Sequence, residues 1–221
     1  MIRVEPADKP DTFDEMVRQP GLEALTRRVG EYVPGSGRRP AEIYACREDV
    51  PSKHFKPTWR AAIDALMERY DSLCAYTALY IEHGTGDATV DHFIPVSSNW
   101  RTAYEWSNYR LACGQVNTNK DVNKPLDPFK IEDHWFELDL VGYQVVPGNR
   151  TVDPLRSIID ETINIILNLN NRRFRNQRST YALEYQAHHI TLDYLERRAP
   201  FVARELRRQN KLHPADQVPP T

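Results

Sequence analysis

The most constraining stretch of this chain runs from Cys74 to Lys120, CAYTALYIEHGTGDATVDHFIPVSSNWRTAYEWSNYRLACGQVNTNK. A strand-like run from Ala88 to Val96 carries the Asp91-His92 dipeptide, Tyr104 to Cys113 reads as a second strand, and Gln115 to Asp121 reads as a short helix stopped before Pro125. Neighbouring residues on a strand point to opposite faces. Asp91 and His92 can therefore serve one site only if a loop or bulge breaks the strand between them. With that break, the carboxylate could hold a metal while the imidazole addresses a water, and Asn117 could return from the helix to complete an oxygen shell. Carboxylate, amide carbonyl and water are hard ligands, suited to Mg²⁺ or Mn²⁺ rather than Zn²⁺. Taken singly, an Asp-His pair is usually incidental, and Asn108 and Asn117 are ordinary turn or cap residues. His83, His134, His188 and His189 have no comparable partners and read as surface or core histidines.

The flanks predict a mostly helical α+β chain around this insert. The first 54 residues are rich in Pro, Gly and charge and read as an arm, with the segment 35–40 (GSGRRP) as a loop. After Pro57, the residues Trp59, Ile63, Leu66, Met67 and Tyr70 form one helical face, with Arg60, Asp64 and Glu68 turned away. Trp135 to Val146 alternates as a hairpin with Gly142 at its turn. A second helix follows Asp153-Pro154, with Asp153 as N-cap and Pro154 in the first turn. Its face is Leu155, Ile158, Ile159, Thr162, Ile163 and Ile166, widened towards full burial by Ile165, Leu167 and Leu169. The basic segment beyond continues as helix, carrying Tyr181, Tyr185, Ile190, Tyr194 and Phe201, and the tail HPADQVPPT reads as frayed. The expected organisation is an arm (1–54), a core (55–130), a hairpin with a helical lobe (131–212) and a flexible tail (213–221), in one compact domain.

At 221 residues the chain is long enough for one substantial core but not for several domains. It has no run of apolar residues long enough for a membrane span, and MIRVEPADKP lacks a signal peptide's apolar centre. Cys46, Cys74 and Cys113 are odd in number and far apart, which argues against a disulfide framework and fits a reducing cytoplasm. The net charge of −2 argues mildly against nucleic acid as a partner, but it hides an uneven distribution. Ten basic and four acidic residues between Asn171 and Lys211 make that segment +6 and leave the remainder at −8. Such a stripe can follow a phosphate backbone, and it is also what a solvated helical face carries.

The pattern D-H-x-x-P-x-S, then W-x-N, then L-x-C-x-x-x-N-x-x-K resembles the ββα-metal core of the HNH endonucleases over roughly residues 55 to 180. The resemblance implies that Asp91 is a metal-binding acid, His92 the general base, Asn108 the asparagine that pins the loop, and Asn117 the last metal ligand. The nine-residue step from Asn108 to Asn117 is the family's interval. A Trp-bearing helix leading into C-A-Y, the W-S-N strand and the I-x-x-L-x-L-N helix (Ile163 to Asn170) before an arginine cluster further resemble Septu-like HNH proteins of bacterial anti-phage systems. The activity implied by the resemblance is hydrolysis of a phosphodiester, most naturally in double-stranded DNA, with Mg²⁺ or Mn²⁺ as cofactor, 5′-phosphate and 3′-hydroxyl products, and an ATPase as partner. Arg101, Lys120 and Lys124 are then candidate phosphate contacts, and Arg172, Arg173, Arg175 and Arg178 candidates for the flanking duplex.

One departure stands out. Many relatives bind a structural zinc with two C-x-x-C knuckles, which here read Cys74-x-x-Thr77 and Cys113-x-x-Val116. Two thiolates cannot close a tetrahedral site, so no structural zinc is expected, and Cys74 and Cys113 should lie reduced and buried near each other. The loss also admits a second reading: a catalytically degenerate HNH fold that binds nucleic acid or serves as an interaction subunit of an ATPase complex.

Overall fold

The computed structural model describes residues 1–31, 33–35, 37 and 40–217. Helices take 44% of the chain and strands 9%, all in small antiparallel sheets, so the fold is mixed α+β. No helix among the described residues is long and apolar enough to cross a membrane.

The N-terminal segment is packed rather than loose. A π-helical turn (Asp14–Arg18) runs directly into α1 (Gln19–Arg28), and Phe13, Val17 and Leu25 are buried in the core. Gly21 lets this helix approach the Tyr104 ring, where a Cβ would come within 2.4 Å of it. Charge and proline obscure these few apolar residues in the sequence. Of the expected loop 35–40, Ser36, Arg38 and Arg39 lie outside the described residues.

The helix after Pro57 begins as a 3-10 turn (Thr58–Ala62) and continues as α2 (Ile63–Arg69), with Leu66 and Met67 buried. Strand β1 (Ala88–His92) pairs antiparallel with β2 (Tyr109–Cys113), from Ala88 opposite Cys113 to His92 opposite Tyr109. Both strands are shorter than their sequence runs, because Ile94 to Asn99 belongs to a loop and Trp100–Thr102 and Trp106–Asn108 are 3-10 turns. Helix α3 (Gly114–Lys120) follows β2 directly.

The second sheet is the hairpin β3 (Phe136–Asp139) and β4 (Gln144–Pro147). An open hairpin edge leaves unpaired backbone groups, and here side chains cover both edges. Asn170 donates to and accepts from the Val145 backbone, at 2.9 and 2.8 Å. On the other edge, Glu205 accepts from the Leu138 amide, and Gln209 donates to the Leu138 carbonyl.

Helix α4 (Leu155–Glu161) continues into a π-helical turn, Thr162–Ile166. Asp153 does not cap it through a backbone amide; its carboxylate accepts from the Ser157 hydroxyl. The expected wide apolar face is only half correct. Ile159, Ile163, Leu167 and Leu169 are buried, but Ile165 is 76% exposed and Ile158 is 45% exposed. The basic segment is three helices: α5 (Arg172–Gln186), α6 (Leu192–Arg198) and α7 (Pro200–Arg208). The tail is docked as far as it is described: the His213 amide donates to the Tyr185 hydroxyl, which donates to Asp216. Val218 to Thr221 lie outside the described residues.

Arg178, expected on the DNA-facing surface, is instead 1% exposed. It donates to the carbonyls of Tyr143 and Leu169 at 3.0 and 2.9 Å, stapling the hairpin turn and the connection before α5 to the middle of that helix. Burial, then the neighbouring Arg175, lower its pKa to about 10, which leaves it charged at neutral pH. Replacing Arg178 with Met should therefore cost about 2–3 kcal/mol of stability, read as a lower urea midpoint. A surface arginine that only touches DNA would leave that midpoint unchanged.

Candidate active site

The site is built on the end of β1, and the strand stays regular there. His92 pairs with Tyr109 as Asp91 pairs with Arg110, with no bulge between them. The expected break at the dipeptide is absent, so the two side chains diverge as strand geometry requires.

Asp91 turns inward and is 2% exposed. One carboxylate oxygen meets the Lys120 ammonium at 2.9 Å, and the other accepts from the Tyr76 hydroxyl. Lys120 is fully buried and also donates to the His92 carbonyl at 2.9 Å. It is therefore not the phosphate contact expected of it. The residue beside Asp91, Arg110, is buried too, and its guanidinium grips Asp127 with two parallel bonds of 3.0 Å above the Phe129 ring. Two acids and two bases thus neutralise one another inside the protein. Burial, reinforced by Asp91, holds the Tyr76 phenol well above its usual range, so Tyr76 stays a donor.

His92 lies on the other face, its ring edge-on to Trp59 at 4.8 Å and to Tyr109 at 5.1 Å. Its Nε2 is 2.8 Å from the Ala103 carbonyl. A carbonyl only accepts, so Nε2 carries the proton and the neutral ring presents an unprotonated Nδ1. No hydrogen bond to that Nδ1 is found among the described residues. Burial lowers the pKa of His92 below 6.5; the Ala103 bond and Asp91 oppose the shift, and Lys120 adds to it. The stability contributed by neutral His92 is therefore complete above about 6.5 and is lost as pH falls through the folded value.

Asn108 holds the loop that supplies this carbonyl. Its amide donates to the Ile94 and Thr102 carbonyls at 3.0 and 3.1 Å and accepts from the Ile94 amide at 2.7 Å. Ala103 follows Thr102 directly, and its oxygen also accepts from the Tyr109 hydroxyl at 2.8 Å. Asn108 is thus a positioning residue: it acts on His92 through the loop. Asn117, on α3, donates to the Thr89 hydroxyl and weakly to the Val90 carbonyl.

This donor set does not fit a divalent ion as it stands. Both Asp91 oxygens are engaged, and one of them already faces an ammonium where a cation would bind.

The remaining candidates divide. Lys124, Arg172 and Arg173 are exposed. Arg101 is exposed but paired with Glu48 at 2.8 Å and stacked on Trp100. Arg175 donates to the Gly142 carbonyl. Acids from outside the segment offset part of its +6, Glu82 pairing with Arg198, Glu137 with Arg208 and Asp133 with Arg204; Asp193, Glu196 and Glu205, already counted in that sum, pair with Arg197, Arg207 and Arg208. Cys74 and Cys113 do meet, with sulfurs 4.0 Å apart; Cys74 is buried and Cys113 half-buried.

Tyr76, Arg110 and Asp127 are site residues that the sequence motif does not single out. The available signal is Arg110, a lone charge inside the apolar run Tyr-Arg-Leu-Ala-Cys, which calls for a buried partner. Compared with known families and with characterised proteins, the sequence matches no family model and no characterised protein.

Lys120→Met keeps the aliphatic stem but strands Asp91, and should cost about 3–5 kcal/mol. Mn²⁺ should then raise the variant's Tm and leave the parent's unmoved, by the mass action of an ion bound only to the folded state. Equal stabilisation of both chains would show that Lys120 does not occupy the cation's place.

Proposed function

We propose that this protein is an HNH-type endonuclease that hydrolyses phosphodiester bonds of nucleic acid, with DNA as substrate and 5′-phosphate and 3′-hydroxyl products. The observation that carries this reading is His92: a neutral imidazole whose Nε2–H is fixed by a backbone carbonyl, whose Nδ1 is left to accept a proton, and whose loop is pinned by Asn108. Two antiparallel strands running straight into a helix, with Asn117 on that helix, agree with the ββα order that the sequence motif implies.

In this mechanism His92 Nδ1 takes a proton from the water that attacks phosphorus. The positive charge that develops on the ring is stabilised through Nε2–H by the Ala103 carbonyl, which Asn108 and Tyr109 keep in place. Trp59 and Tyr109 wall the ring, so the water approaches from the side that Nδ1 faces. Exposed Lys124, Arg172 and Arg173 supply phosphate contacts for a flanking duplex, with Arg101 available if its bond to Glu48 opens. The Mg²⁺ or Mn²⁺ that the resemblance implies at Asp91 and Asn117 is not compatible with Lys120 in its present position, so the proposal rests on His92. The motif's surroundings extend the proposal to a cytoplasmic anti-phage effector acting with an ATPase.

One observation favours the alternative of a non-catalytic nucleic-acid-binding or interaction subunit: Asp91 is already neutralised. Plasmid cleavage in Mg²⁺ or Mn²⁺, with and without candidate partners, separates the two. The nuclease reading expects nicking that falls at least about 100-fold in His92→Ala, while DNA bound but never cut supports the alternative. The acid limb of the cleavage rate should have its midpoint below 6.5, because burial keeps His92 neutral. A midpoint above 6.5 would contradict His92 as the base.

A further inference from the structure

Cys74 and Cys113 form a second chemical centre, separate from His92. The sulfurs are in contact at 4.0 Å without a disulfide, and the Cys113 amide points at the Cys74 sulfur at 3.5 Å. The two residues lie on neighbouring backbones, since the Ala75 amide donates to the Leu111 carbonyl at 2.8 Å. Their environments differ. Cys74 is 1% exposed. Cys113 lines a cavity of about 200 Å³ between the Thr77–Glu82 segment and Phe174 and Gln177 of α5.

We propose that Cys74 and Cys113 are a reversible oxidation site, closed to a disulfide by a hydroperoxide that reaches Cys113 through this cavity. The sulfurs need to close from 4.0 Å to a bond of about 2.05 Å. Burial alone would raise the Cys74 thiol, but bonds from the Cys113 and Thr77 side chains and from their amides lower it below the usual thiol range. The Cys113 thiol is pushed up because it donates to Cys74. The two thiols titrate as a pair, and the bond between them favours the state with a thiolate on Cys74 and a proton on Cys113.

Closure takes two displacements. The Cys74 thiolate takes the proton of Cys113 as the Cys113 sulfur attacks a peroxide oxygen; an S–O bond forms, the O–O bond breaks, and the hydroxide released takes that proton from Cys74 to become water. The Cys74 thiolate then attacks the Cys113 sulfur; the S–S bond forms and the S–O bond breaks, releasing hydroxide. The two sulfurs lose two electrons, and the peroxide gains them. The bridge joins the loop that carries Tyr76 to the junction of β2 and α3, so oxidation ties together two of the segments that hold Asp91.

The test treats the folded, full chain with hydrogen peroxide, quenches it, denatures it and counts free thiols. Expected is a fall from three thiols to one, a mass lower by two hydrogens, a linked Cys74–Cys113 peptide on mapping, and full recovery with dithiothreitol. Cys46→Ser should still form the bridge, whereas Cys113→Ser should not. Three surviving thiols, or loss confined to Cys46 or to intermolecular links, would overturn the proposal. Mapping the parent chain keeps the test decisive even if a cysteine variant fails to fold. Because no step uses His92, the outcome is independent of nuclease activity.

Discussion

The buried pair of Lys120 and Asp91 is the contact around which the central part of the molecule is organised. A carboxylate and an ammonium taken out of water are stabilised only if each meets the other and their remaining bonding positions are filled. Asp91 achieves this with Tyr76, and Lys120 with the His92 carbonyl. These bonds join the Cys74–Leu79 loop, β1 and α3 at one point. They also fix the register of the strand. A slip of one residue would turn Asp91 to the Trp59 side and bury His92 against an ammonium, so the carboxylate's need for a partner helps set where the imidazole faces.

A second buried pair, Arg110 with Asp127, repeats the logic one position across the sheet. Arg178 and Glu205 apply it to backbone instead, using charged groups to satisfy carbonyls and amides at the hairpin. The basic excess of the C-terminal segment is thus engaged largely inside the protein or by neighbouring acids. Among the described residues, what faces solvent without such a partner is narrower, and Arg172 and Arg173 at the start of α5 are its clearest members.

The elements whose character is local are legible in the sequence. Leu66 and Met67 announce α2 by their period, the hairpin is announced by alternation about Gly142, and the strand-strand-helix order by the spacing from Asp91 to Asn117. Non-local features are not. A lysine declares a charge but not its partner, so Lys120 reads as a phosphate contact although Asp91 claims it. Ile165 belongs to an apolar run, yet the π-helical turn rotates it to solvent. At the site, the motif indicates which residues gather, while the strand's regularity, visible only in three dimensions, decides that Asp91 and His92 part company.

The Lys120 ammonium differs from a metal in one further respect: it is tethered. Helix α3 holds it beside Asp91 at an effective concentration that no change in the surrounding solution alters. A chelator cannot strip it, and scarcity of divalent ions cannot empty its place. The contact that holds Asp91 in place therefore needs no divalent ion. A divalent ion arriving at Asp91 would be engaged in cation exchange, with an affinity set by how readily one lysine can be persuaded to leave.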